Sequence, residues 1–413
     1  METTSYPEEF DPVVRQLTQK YVAMWQELPE AGPEFSRRFA PWQQSENERQ
    51  LKLHLKGMPT SFGTYEQLPD ANKAHISLNV MNAIVGSSLL SREVLSNKYF
   101  EESEWVTRQF MKEAREFDPS LSENDIHQAL RNLWVFNSIQ MFLERAIMLT
   151  PSSFAYSLLY PYSDNGLDSG GRTRDEKNRL VCWLSKWFET NGCQAIDDLT
   201  EKIAGLLNMI GEEYPREAFP EVHRSLFAIH RSQQKSLLLH GSCPAADDAG
   251  ILSITVEKGG TSVLVDGYLA AGQLSTAEAD SLFEYGVVLQ FIDDLQDIDE
   301  DKTSNHVTPF QRALEKGELE SVTRRLLCFA NRCVTDLGRK DLKGTNSFQQ
   351  MIEGSCTFLV MDAVARHHEL YSNGFLRNAE RSMPLRPEFL RELHYEMKMR
   401  LTRNAVHPRI RHS

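Results

Sequence analysis

Apolar residues recur at three- and four-residue intervals along most of the chain, and the clearest such stretch is Thr276 to Asp301, TAEADSLFEYGVVLQFIDDLQDIDED. Wound as an α-helix, it places Gly286, Gln290, Asp293, Asp294, Asp297 and Asp301 within an arc of roughly 100°. Val288, Phe291, Ile292 and Leu295 point elsewhere. Like charges at i,i+4 destabilise a helix by a few tenths of a kcal/mol per pair. Four carboxylates on one face of an otherwise apolar helix therefore require a use. Hard divalent cations are one, because carboxylate oxygens are their natural ligands.

The same periodicity predicts helices over Val13–Trp25, Ala74–Leu95 and Ser103–Phe117. Ser122 with Asp125 three residues on predicts a capping box, opening a helix to about Leu149 that Pro151 ends. Pro161 is expected to interrupt the next helix, around Phe154–Tyr162. Further helices are expected over 175–189, 195–210, 220–240, 251–271, 310–316, 318–335, 347–372 and 387–402. Gly259-Gly260 lies inside one of them and costs a helix about 2 kcal/mol. It predicts a helix break or a close backbone approach to a ligand. The prolines after Trp25 predict an irregular segment, and residues 51–75 read as loop. There is no alternating strand pattern and no repeat. The expected fold is all-α: a single large helical bundle with one central core. Residues 1–75 are expected to form an N-terminal helical extension packed on a domain spanning 76–413.

Composition narrows the partners. The 413 residues are 41% hydrophobic and 25% charged, as in soluble globular proteins. A net charge of −13 argues against nucleic acid or an anionic membrane as main partner. None of the six cysteines forms a CxxC pair, so neither zinc nor redox chemistry is indicated, and a reducing, cytoplasmic location is expected. The start, METTSYPEEFDP, has no signal-peptide pattern, and no apolar run reaches membrane-spanning length.

A second acidic cluster is Asp164-Asn165-Gly166-Leu167-Asp168, whose two aspartates share a face if helical. GGRTRDEKNRL follows, with Arg172, Arg174 and Lys177; an arginine fork suits phosphate oxygens. Two acidic clusters facing each other across a bundle can hold Mg²⁺ ions between them.

LQFIDDLQDIDED resembles the second aspartate-rich helix of class I isoprenoid (terpenoid) synthases. It keeps the squalene/phytoene synthase frame LQxxNxxRDxxED, with Asp293 in the Asn place and Gln296 in the Arg place. It also fits the FQxxDDxxD frame of trans-prenyltransferases through Gln290, Asp293, Asp294 and Asp297. Asp164 and Asp168 resemble the first DxxxD motif of the squalene/phytoene type. The resemblance covers roughly residues 75 to 402 and implies the all-helical fold of that superfamily with a central active-site cavity. It implies metal ligands among Asp164, Asp168, Asp293, Asp294, Asp297 and Asp301, with three Mg²⁺ when substrate is bound. Arg172, Arg174, Lys177, Lys258 and Gln290 are the implied diphosphate ligands. Lys258 is carried over from a Lys-Thr pair, which Gly259-Gly260 here separates. The implied substrate is an allylic isoprenyl diphosphate, ionised to a carbocation and then cyclised or condensed with a second isoprenoid. A monomer or homodimer with no membrane span, touching a membrane peripherally to release an apolar product, would suit. Two readings from other classes compete: an all-α Mg²⁺-dependent nucleotide pyrophosphatase and a catalytically silent helical binding protein.

Overall fold

The computed structural model describes residues 12–29, 38–56, 97–168, 173–190, 192–241, 246–340 and 345–392. These residues are almost wholly helical, and the β-geometry among them is one isolated bridge, His240 to His306. In chain order the helices are α1 (Pro12–Glu27), α2 (Pro41–Lys56), α3 (Asn97–Phe117), α4 (Glu123–Phe142), α5 (Pro151–Asp168), α6 (Arg174–Thr190), α7 (Asp198–Glu213) and α8 (Pro220–Ser236). They continue with α9 (Asp248–Ala271), α10 (Thr276–Gln296), α11 (Ile298–Ser304), α12 (Pro309–Lys316), α13 (Leu319–Arg339), α14 (Thr345–Arg366) and α15 (Asn373–Ser382). The helix expected over Ala74–Leu95 lies outside the described residues, as does most of that expected over 387–402.

Local chemistry sets several boundaries. Ser122 and Asp125 form the expected capping box at α4, and Ser275 and Glu278 form one at α10. α4 stops at Phe142, short of Leu149, because the backbone turns left-handed at Glu144 (φ 50°). Gln140 then bonds the backbone of Met148 at both its amide atoms. Pro151 opens α5 rather than ending α4, a position where its missing N–H costs nothing. Pro161 does not interrupt α5, which continues to Asp168. The segment expected to be irregular before residue 51 contains α2, held by Gln44 and Asn47 side chains donating to the carbonyls of Glu380, Met383 and Pro384.

The buried apolar residues form two clusters that meet on α9, not one central core. One joins α1, α10, α13 and α14; the other joins α3 to α8 with Val265 and Leu269 of α9. A helix apolar all round can be buried on both sides. Nor does Gly259-Gly260 break α9. A Cβ on Gly259 would lie 2.3 Å from Gln290 Cβ, and one on Gly286 would lie 2.2 Å from the Gly259 carbonyl oxygen. The glycines let the backbones of α9 and α10 touch; the close approach is to a helix, not a ligand.

At its N-terminal end α10 is gripped by a charged network. Tyr21 of α1 donates to Asp280, and Lys340 lies 2.7 Å from Asp280 and 3.7 Å from Glu284. Glu284 is 1% exposed, and its Oε1 has no hydrogen-bond partner. Burial, with the charges of Asp336 and Asp280, pushes its carboxyl up to about 7 against the opposing pull of Lys340. The folded state therefore holds this proton more tightly than the unfolded chain. The resulting penalty is absent below about pH 4.5, grows as pH rises, and is complete above about pH 7. The shift corresponds to about 3 kcal/mol. Glu284→Gln is expected to stabilise the protein by about that much at pH 8 and to change little at pH 4.5. Denaturant midpoints at the two pH values check this.

Candidate functional site

The acidic stretch does not present one face. α10 ends at Gln296, and Asp297 (φ −97°, ψ 18°) is the joint from which α11 starts. Asp293 and Asp294 point about 100° apart. Asp293 keeps 39% of its side chain exposed, whereas Asp294 is 4% exposed. The carboxylates thus divide into a half-exposed pair, Asp293 and Asp297, and a buried pair, Asp294 and Asp301.

The exposed pair faces α4. Arg131 Nη2 donates to Asp293 Oδ1 at 2.9 Å, and Asp297 and Tyr160 of α5 stand within electrostatic reach of the same guanidinium. Burial raises the Asp297 carboxyl to about 7, helped by the negative charges of Asp293 and Glu300 and opposed by Arg131. Negative charge at this joint is in excess of what the nearby cation offsets.

The buried pair faces inward. Gln290, expected at a diphosphate, donates its amide to Asp294 Oδ1 at 2.8 Å. Asp294 Oδ2 has no hydrogen-bond partner. Burial first, then the charge of Asp301, holds the Asp294 carboxyl well above its usual range, while Lys258 pulls the other way. Lys258 therefore reaches the acidic end of α10, carried there by the glycine crossing. Asp301, expected among the metal ligands, has its Oδ1 3.0 Å from His306 Nδ1. That imidazole stacks on His240 with ring centres 4.4 Å apart, where the backbone of Leu239–Gly241 pairs with that of Asn305–Val307.

Asp164 and Asp168 fall in the last two turns of α5, which continues past Pro161 where an interruption was expected, so the backbone of this motif is helical. Their side chains, with that of Arg174, lie outside what the structure describes, as does Arg172 altogether. Tyr160, one turn before Asp164 in α5, stands within electrostatic reach of Arg131, so this part of α5 lies at the end of the bundle that carries Asp293. Tyr162 and Lys202 both donate to Asp118 Oδ2 at 2.6 Å, which braces α5 just past Pro161. Lys177 lies half-buried in the first turn of α6, whose start Thr173 and Glu176 fix by mutual capping bonds.

Beside this end lies a cavity of about 50 Å³, in a cleft of about 510 Å³ counted to its open mouth. Tyr156, Leu159 and Tyr160 of α5, Phe188 of α6, Leu207 of α7 and Ile229 and His230 of α8 line it. His230 is 3% exposed, and burial holds its pKa down to about 4, so the ring is neutral near pH 7. Its Nε2 meets Ser185 Oγ and Gln234 Nε2, both at 2.9 Å. No residue from Phe358 to Tyr371 lines this cavity. Trp134 donates to Thr107 on α3, and Phe136 is fully buried core.

Sequence reasoning missed Arg131 as a site residue. It also missed Asp266, a fully buried acid on α9 held well above its usual range by burial. Asn132 donates to Asp266 Oδ1 at 3.3 Å and to Ser157 Oγ at 3.2 Å, tying α4, α5 and α9 together one residue from Arg131. A lone Asp among apolar residues, in LVDGYLAAG, was the available signal.

No known protein family matches the sequence, and no curated protein does. Among solved structures, the chain is similar to a decaprenyl diphosphate synthase from Rhodobacter capsulatus. The two are 11% identical, with a TM-score of 0.38, over 70% of this chain and 98% of that one. No helix among the described residues is long and apolar enough to cross a membrane.

Proposed function

We propose that the chain is a Mg²⁺-dependent class I isoprenoid synthase that ionises an allylic isoprenyl diphosphate. The observation that carries this reading is the joint at Asp297. Two half-exposed carboxylates there, Asp293 and Asp297, share a single neighbouring guanidinium, Arg131, beside the end of α5 and an apolar cleft. Among the described residues no three His, Cys, Asp or Glu side chains converge to hold a metal by themselves. Mg²⁺ fits nonetheless, because it is usually held by one or two carboxylates, with waters and substrate phosphates completing its shell. The donors here are hard oxygens, and the unpartnered Asp294 Oδ2 is a further one. In this reading Asp293 and Asp297, with Asp164 and Asp168 opposite, hold the metal. When bound, Mg²⁺ supplies Lewis-acid neutralisation of the departing diphosphate.

The chain's own groups do the rest. Gln290 fixes the Asp294 carboxyl, and Lys258 adds positive charge behind it. Arg172, Arg174 and Lys177 remain the proposed diphosphate ligands from the α5–α6 junction. The cleft keeps water from the allylic cation. The rings of Tyr156, Tyr160 and Phe188 offer it their negative faces, each such contact contributing about 1–2 kcal/mol when desolvated. Ligand pockets measure about 300–1,000 Å³. The cavity of about 50 Å³ is far below that range, so a prenyl chain binds here only if these side chains move aside. Cyclisation of one chain and condensation of two both follow from the same ionisation.

The purified protein, given Mg²⁺ with geranyl, farnesyl or geranylgeranyl diphosphate, is expected to yield hydrocarbon products and diphosphate. Cleavage of nucleoside triphosphates instead would make it a pyrophosphatase, and neither activity would make it a binding protein. Loss of products on chelation, with recovery on adding Mg²⁺, checks the metal requirement.

A further inference from the structure

The ion pair between Arg131 and Asp293 joins residues 162 positions apart, yet both side chains remain partly exposed, at 58% and 39%. Pairs with this exposure contribute little to stability, so it is a poor clamp between α4 and α10. It is well suited to being exchanged. A divalent cation brings twice the charge to the same carboxylate and displaces a single guanidinium.

We propose that Arg131 is an exchangeable counterion: it occupies Asp293 before metal binds, and metal binding releases it to become a diphosphate ligand. The inference rests on the reading of this end of α10 as a magnesium–diphosphate site. The placement supports it in three ways. The backbone beside Arg131 is anchored, because the neighbouring Asn132 bonds both Ser157 and Asp266, so only the side chain need swing. The guanidinium lies within electrostatic reach of Tyr160, which lines the cleft, as well as of both carboxylates. The residue is an arginine, whose planar fork meets phosphate oxygens two at a time. The charged and titratable groups around it are Asp293, Asp297 and Tyr160, with His127 one turn away on its own helix.

The exchange predicts opposite effects on two ligands. Mn²⁺ alone, followed by electron paramagnetic resonance, is expected to bind Arg131→Gln about two- to fivefold more tightly than wild type, since no cation need be displaced. Inorganic pyrophosphate with saturating Mg²⁺, followed by calorimetry, is expected to bind the same variant about ten- to a hundredfold more weakly. Arg131→Lys keeps the charge but not the fork, and is expected to restore wild-type metal affinity with only part of the pyrophosphate affinity. Circular dichroism melts of the variants should match wild type. Metal and pyrophosphate affinities that fall together, or do not move, while wild type binds both would overturn the exchange and leave the site reading standing. A wild-type protein that binds neither Mn²⁺ nor magnesium pyrophosphate would overturn the site reading and this proposal with it.

Discussion

Replacing Asp293 and Asp297 together by asparagine is expected to lower turnover of an allylic isoprenyl diphosphate by at least about a thousandfold. Metal-assisted charge neutralisation is worth several kcal/mol in a transition state, and each 1.4 kcal/mol is tenfold in rate. Asparagine keeps the size of the side chain and removes the anionic oxygen that a hard cation needs. The fold is expected to survive. The folded protein disfavours the charged form of Asp297, so making that position neutral removes a repulsion. Product formation and a thermal melt on the same preparation check both halves. Activity within tenfold of wild type would remove this pair from the chemistry.

Gly286→Ala is expected to destabilise the protein by about 3 kcal/mol or more, the upper end of the range for overpacking a core. The new methyl group would lie 2.2 Å from the Gly259 carbonyl oxygen, a backbone atom that cannot rotate away. The effect is expected to reach the site as well, because the α9–α10 spacing sets where Lys258 stands relative to Asp294. Gly211→Ala is the control. Gly211 is also helical, but a Cβ there meets nothing within 4 Å, so a gain of about 0.5–1 kcal/mol is expected from helix propensity. Denaturant unfolding of the two variants beside wild type measures the contrast. Equal effects would mean that the α9–α10 contact is looser than described.

Much of the site was legible because its signals are local. Four carboxylates at helical spacing in an apolar stretch identify the end of α10 without any tertiary information. Ser122 with Asp125 announced its helix start for the same reason: a cap is complete within four residues. The glycine pair was noticed but misjudged. Its propensity cost argues for a break, whereas burial against Gly286 and Phe283 outweighs that cost and keeps α9 continuous. Pro161 was misjudged in the same direction, since α5 carries it without ending.

By itself the sequence determined the all-helical class, where most of the described helices lie and the position of the acidic stretch, because hydrophobic period, caps and turn residues act over a few neighbours. Only the tertiary structure decided that Arg131 is the cation on Asp293, that α5 to α8 wall the cleft, and that Asp301 turns to His306. It alone decided how the acids are surrounded: the carboxyls of Asp294 and Asp297 are raised above those of ordinary aspartates by burial and by neighbouring charge. Desolvation and charge proximity depend on what packs around a residue, and no run of neighbouring letters encodes that.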